Sequence, residues 1–260
     1  AVATVTPDGI VTLAEGSPDI GGTRATVSQQ LAEVLGIPFE DVKPQIADTD
    51  SIGFTSNTGG SGVTFKTGIA CITAAEDIKQ QMRERASRIW EVSLDDVDYV
   101  DGGVQHKSDT ELRLTFKQMA ARQNNTGGPI VGRAGVNPGG AGPAIGTHIV
   151  DVEVDPDTGK VTILRYTALQ DAGKAIHPSY VEGQIQGGVV QGIGWALNEE
   201  YFINDQGHMV NSSFLDYRMP VSLDLPMIDT VLGDIAYPCH PLGVRGVGDV
   251  CIVPPMAAIC

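Results

Sequence analysis

Positive charge is what this sequence has least of. Its 260 residues carry 17 Lys and Arg against 32 Asp and Glu, a formal net charge of −15. A phosphate backbone or an anionic lipid surface needs a basic face, so no nucleic acid and no membrane insertion are expected. No apolar run approaches the roughly 18 residues that a spanning helix needs. Residues Ala1–Thr6 show neither the basic region nor the apolar core of a secretory signal. The compartment expected is the cytoplasm, with the periplasm as the alternative. The four cysteines (Cys71, Cys239, Cys251, Cys260) lack Cys-x-x-Cys and Cys/His metal spacing, so they are expected to be reduced and mostly buried. His106, His148, His177, His208 and His240 also lack metal-ligand spacing, and no side-chain metal site is expected. A phosphate loop of the Gly-Lys-Ser/Thr kind and a serine nucleophile elbow are both missing.

Glycine, by contrast, is abundant: 32 of 260 residues, about 12% against roughly 7% in ordinary proteins. With aromatics at only 5% and apolar residues at 42%, this describes a loop-rich fold with a sizeable core. Periodicity gives a hairpin around Thr6-Pro7-Asp8-Gly9, a helix over 23–35 stopped by Gly36, and a long helix over 63–89. A second hairpin turns at Asp155–Gly159, between strands near 149–155 and 160–169. A glycine-rich helix follows over 179–198. Hairpins alternating with helices predict an α+β fold of two intimately packed lobes with mixed sheets. The lobes are expected at about 1–125 and 148–260. A Gly/Pro-rich stretch over 126–147 reads as an ordered crossing, or else as a flexible linker. Both ends read as cut, as in a fragment of a larger protein. Met82 and Trp195 read as core.

Three features bear on chemistry. Gly21-Gly22 and Gly59-Gly60-Ser61-Gly62 each precede a helix, whose N-terminus offers N–H groups and partial positive charge to an anion. Thr23, Thr58 and Ser61 add hydroxyls; the plainer reading makes them N-caps of ordinary turns. The helix Val181–Trp195 holds five glycines, each costing up to about 1 kcal/mol relative to Ala, so something must approach it closely. Gln184 and Gln191, seven apart, share a face and suit the mixed edge of a heterocycle, or else sit at the rim of a packed helix. Asp249, after Gly246-Val247-Gly248, reads either as a turn cap or as a general base carried into a cleft.

Together these segments resemble the molybdenum hydroxylases, the family of xanthine dehydrogenase, aldehyde oxidase and carbon monoxide dehydrogenase. The part that matches is the C-terminal portion of the molybdopterin-binding subunit. Val181-Glu182-Gly183-Gln184 through Gln191-Gly192-Ile193-Gly194 is similar to that family's Gly/Gln helix. Asp155–Gly159 with Asp171-Ala172-Gly173 is similar to the hairpin before it. Pro241–Gly248 is similar to the loop ending in the family's catalytic glutamate.

The resemblance implies that molybdenum is held by the dithiolene of molybdopterin, or of its dinucleotide form, without a protein ligand. It implies that Ile20-Gly21-Gly22-Thr23 stands where the family has a Met-Gly-Gln-Gly-like run. It implies that Thr58-Gly59-Gly60-Ser61-Gly62 lies near pterin and metal, and that Gln184 and Gln191 belong to the pterin-contacting helix. Asp249 takes the place of the catalytic glutamate, roughly 1.3 Å shorter by one methylene. The activity implied is hydroxylation of an electron-poor carbon of a heterocycle or aldehyde with oxygen from water. The partners implied are the N-terminal molybdopterin-binding half, in the same subunit or another chain, and an iron–sulfur subunit. A flavin (FAD) or cytochrome (haem) subunit would complete the electron path. The isolated chain is expected to be inactive. From a different class, a non-catalytic molybdopterin-binding or assembly module stays open.

Overall fold

The computed structural model describes residues 1–46, 50, 52, 55–143 and 145–260. The chain forms two compact units, Ala1–Gly140 and Ala141–Cys260. The first contains, in order, β1 (Val2–Val5), β2 (Val11–Glu15), α1 (Thr23–Leu35), β3 (Val42–Ile46) and α2 (Val63–Trp90). It continues with β4 (Val97–Val100), β5 (Gly103–His106), β6 (Arg113–Thr115), α3 (Phe116–Ala121) and β7 (Ile130–Arg133). The second contains β8 (Gly146–Val154), β9 (Val161–Asp171), α4 (Pro178–Leu197), β10 (Ile228–Gly233) and α5 (Pro254–Ile259). The fold is α+β.

In the first unit a four-stranded sheet runs in the order β3-β2-β1-β7, with only the β2–β3 pair parallel. Alternation puts Ala3, Val5, Val11 and Leu13 on its buried face. Against that face lie Val27, Leu31 and Leu35 of α1, and Ala75, Ile78 and Met82 of α2. Helix α1 stops where its sequence says: Gly36 adopts φ +63, and a Cβ there would meet the Gly102 nitrogen at 2.7 Å. In the second unit a three-stranded sheet, β10-β9-β8, packs Ile163, Tyr166 and Ala168 against Ile185, Val189 and Ile193 of α4.

One topology occurs twice. A hairpin (β1–β2, β8–β9) leads into a helix (α1, α4), which returns to a strand parallel to the hairpin's second arm (β3, β10). In α/β units of this kind, binding loops sit beyond the carboxyl end of the strand that feeds the helix. Those loops are here 16–22 and 172–177.

Three expectations need correction. The stretch 126–147 is not all crossing: Ile130–Arg133 pair with β1 as a full sheet strand, and β8 already starts at Gly146. Trp195 is exposed, because it points away from the Ile185–Val189–Ile193 face of α4. Only two of the four free thiols are buried, Cys71 and Cys251, while Cys239 and Cys260 are exposed.

Candidate cofactor and base site

The first unit holds a cavity of about 660 Å³ at the N-terminus of α2. Gly16 and Ser17, just past β2, form one wall; Thr58, Gly59 and Gly62 form another. Ser17 is tied to α2 by an Oγ···Oγ1 contact of 2.6 Å with Thr67. Lys66 and Arg133 also line the cavity, and no Asp or Glu does so among the described residues. Two cations and no anion is unexpected by chance in a chain of charge −15. Helix α2 itself has Gly62 as N-cap, with no side-chain cap and no acidic residue in its first turn. A Cβ on Gly60 would meet nothing within 4 Å, so the loop's backbone borders open space. The whole donor set suits an anion such as a phosphate.

Behind this wall lies Glu15, almost fully buried. Its carboxylate accepts the Ser17 N–H at 2.5 Å, and burial pushes its pKa up, partly offset by the Ser17 hydrogen bonds.

The loop Ile20–Thr23 does not line this cavity. Its helix is a neighbour of α2 through its first turns: Thr26 Oγ1 lies 3.2 Å from Thr64 Oγ1, and Gln30 Nε2 donates to the Thr64 carbonyl at 3.0 Å. Gly21 and Gly22 both take positive φ, Ile20 is exposed, and Thr23 turns its hydroxyl inward to the Pro18 carbonyl. Asp19 already accepts the Arg24 N–H at 2.9 Å and pairs with the Arg24 side chain. This N-terminus is therefore less suited to an anion than that of α2.

In the second unit the five glycines of α4 divide by role. A Cβ on Gly188 would meet Cys251 Cβ at 2.8 Å, and one on Gly192 would meet the Ile252 carbonyl at 2.5 Å. On Gly194 it would strike Glu199 and Pro220. These three admit neighbouring chain. Gly183 and Gly187 meet nothing, and they share the exposed face that carries Gln184 and Gln191. Gln186 is the glutamine used for packing, donating to the Ile228 carbonyl at 3.3 Å.

The segment seated on Gly188 and Gly192 is the one that carries Asp249. This residue is exposed at the start of a short 3₁₀ turn, Val250–Ile252, and Cys251 anchors that turn in the core. The residue is thus exposed on a base fixed in the core, not sunk in an apolar cleft. Among the described residues no group of His, Cys, Asp and Glu could hold a metal ion. No helix there is long and apolar enough to cross a membrane.

Sequence reasoning missed Lys66, Arg133, Glu15 and an ion pair of the second unit, Arg245 Nε to Asp171 Oδ2 at 3.0 Å. The one signal for any of them was local: Lys66 lies on the first turn of the helix that follows the second Gly-rich loop.

The chain matches the molybdopterin cofactor-binding domain family over residues 1–226. It is 33% identical to subunit gamma of the 6-hydroxypseudooxynicotine dehydrogenase complex of Paenarthrobacter nicotinovorans, over 96% of this chain and 33% of that protein. It is 30% identical to the carbon monoxide dehydrogenase large chain of Afipia carboxidovorans, over 94% of this chain and 31% of that one. Among solved structures, Cu,Mo-CO dehydrogenase in its carbon monoxide reduced state aligns with a TM-score of 0.89 at 27% identity, over 99% of this chain and 33% of that one. Quinoline 2-oxidoreductase from Pseudomonas putida 86 aligns at 0.86 and 26%, over 99% and 34%. The chain spans about a third of the length of these relatives. With residues 1–226 matched and the fold shared, it belongs to the molybdopterin cofactor-binding domain of the molybdenum hydroxylase family.

Proposed function

We propose that this chain supplies pterin-binding loops and the carboxylate base of a molybdenum hydroxylase that oxidises an electron-poor carbon of a heterocycle or aldehyde with water. The observation that carries the reading is Asp249, exposed at the start of a turn that Gly188 and Gly192 of α4 are small enough to seat. The bound cofactor supplies two-electron redox chemistry and polarises the oxygen to be transferred. Asp249 would accept a proton at its carboxylate, the work of a positioned general base. Gln184 and Gln191 offer donors and acceptors on the open face of α4 for the pterin edge. The N-terminus of α2, with Thr58–Gly62, Lys66 and Arg133, holds an anionic phosphate of the cofactor, and a dinucleotide form would place more negative charge there. Ile20–Thr23 serve as a supporting loop at the neighbouring helix.

The substrate pocket and electron path belong to partner polypeptide. The segment 201–227 exposes Phe214, Leu215, Leu223 and Met227, with Leu215 and Leu223 93% and 95% accessible. Apolar surface of this extent marks a contact area, and the N-terminal molybdopterin-binding half is the covering element. An iron–sulfur subunit, with a flavin or cytochrome subunit beyond it, removes the electrons.

The test is made on the complete enzyme. Asp249→Asn abolishes turnover with molybdenum and pterin content unchanged, and Asp249→Glu raises the rate by up to about a hundredfold, the scale of a 1 Å misplacement. Full turnover in Asp249→Asn with normal cofactor content refutes the base and leaves the non-catalytic, cofactor-holding reading.

A further inference from the structure

We infer that Arg245, through its buried ion pair with Asp171, is the positioning residue that holds the Asp249 loop in its working place; the inference rests on Asp249 as the base. Arg245 lies four residues before Asp249, and its side chain is 9% exposed, that of Asp171 5%. The Nε–Oδ2 separation is 3.0 Å, an ion pair lying off the line of an aligned hydrogen bond. The other carboxylate oxygen, Oδ1, accepts the Gly173 N–H at 2.9 Å. Arg245 Nη1 donates to the Pro143 carbonyl at 3.2 Å, and the guanidinium lies 4.6 Å from the centre of the Tyr237 ring. One side chain therefore ties together the end of β9, the segment before β8 and the segment after β10.

The backbone adds to this grip. Arg245 N–H donates to the Ala172 carbonyl at 3.1 Å, and Lys174 N–H to the Gly243 carbonyl at 2.8 Å. Val244 bridges Gly173 in antiparallel fashion. Gly173 takes φ +60, and a Cβ there would strike the Gly243 carbonyl at 2.3 Å and the Arg245 nitrogen at 2.9 Å. The turn after β9 and the base-carrying loop thus move as one piece.

Energetics favour a positioning role over a purely stabilising one. A buried ion pair gains little over apolar residues of the same volume, because desolvating both charges offsets their attraction. What it does provide is a single geometry: a planar guanidinium fixes direction as well as distance. A base that must meet its proton within a fraction of an ångström needs that restraint.

The test uses the complete enzyme. Arg245→Met alone leaves Asp171 charged and buried, so it is combined with Asp171→Asn; Arg245→Lys is the conservative variant. The double variant loses about a hundredfold in kcat, the cost of a loosely placed base, with KM and molybdenum content unchanged. Arg245→Lys restores most of the rate. In an Asp249→Asn background the double substitution has no further effect, because residues acting as a unit are not additive. Hydrogen exchange at residues 246–249 quickens by about tenfold or more while α4 is unaffected. Unchanged kcat and unchanged exchange in the double variant overturn the inference, as does an equal rate loss when Asp249 is already Asn. Full turnover in Asp249→Asn alone sinks the base reading, and the exchange measurement then still decides whether Arg245 holds the loop.

Discussion

Two glycines on one helix, five residues apart, give opposite responses to the same added methyl group. Gly187 and Gly192 both sit in the interior of α4, where Ala is preferred to Gly by about 1 kcal/mol. At Gly187 the new Cβ meets nothing within 4 Å, so the whole preference appears as stability. At Gly192 it would stand 2.5 Å from the Ile252 carbonyl oxygen and 2.6 Å from Pro255 Cγ. Neither neighbour is the free end of a flexible side chain, so backbone must shift. Overpacking of this kind costs about 1–3 kcal/mol, which cancels the preference and exceeds it in most of that range. Thermal unfolding of the chain is the assay. Near 4 °C per kcal/mol for a unit of this size, Gly187→Ala rises by about 4 °C and Gly192→Ala falls by a similar amount. The function diverges from the stability. Gly187 lies on the face that carries Gln184 and Gln191, so the stabilised Gly187→Ala chain loads less molybdopterin when assembled into the complete enzyme. Equal melting temperatures for the two variants would refute the division of α4 into a packed and an open face. A stabilised Gly187→Ala enzyme with full cofactor content would remove that face from the pterin site.

Two further outcomes follow from buried groups. Glu15 has its pKa raised by desolvation, so the folded state binds its proton more tightly than the unfolded chain does. Its stabilising contribution is complete below the ordinary glutamate range and is lost as pH rises through the raised value. Glu15→Gln therefore raises the melting temperature at pH 7 and gives no gain in acid; calorimetry showing a loss at pH 7 contradicts this. Burial pushes the Cys71 thiol up to about 12 and the Cys251 thiol up to about 11, while Cys239 and Cys260 are exposed. A thiol reagent at pH 8 labels Cys239 and Cys260 in the native chain and reaches Cys71 and Cys251 only after denaturation; mass spectrometry showing early label on Cys71 would count against the buried assignment.

How much of this was legible in the sequence depended on element length. Helices α1, α2 and α4 lie within a residue of their expected bounds, because each carries several turns of 3.6-residue periodicity and a clear stop or start. The hairpin of β1 and β2 showed through its turn residues, but β3 and β7 did not. β3 contains Pro44, which argues against a strand; it is tolerated because β3 is the edge of its sheet. β7 was hidden in Gly/Pro-rich sequence, yet Gly132 is there because Cβ would lie 2.1 Å from the Ala74 carbonyl oxygen of α2. The glycines of α4 announced a close approach, but not that Gly188, Gly192 and Gly194 would meet chain while Gly183 and Gly187 stay open. Arg245 and Asp171 stand far apart in sequence, and no local pattern joins them. The same holds for Lys66 and Arg133, which only the cavity brings together.

The repeated hairpin–helix–strand topology conceals a difference in how the two units must be built during synthesis. In the second unit β9 meets β8, made just before it, across a tight turn, and β10 follows after one helix and one loop. In the first, β1 lies between β2, which it meets across a tight turn, and β7, with Val2 opposite Arg133 and Val5 opposite Ile130. A growing chain therefore carries β1 with one side unpaired until more than a hundred further residues have been made. The entropy of closing so long a loop grows only as the logarithm of its length, so the finished sheet is hardly weakened. The rate suffers more, because non-local pairing slows folding and leaves an open strand edge in the interval. Expression of this chain should consequently respond to chaperones and to growth temperature through the closing of one four-residue strand, long after its helices have formed.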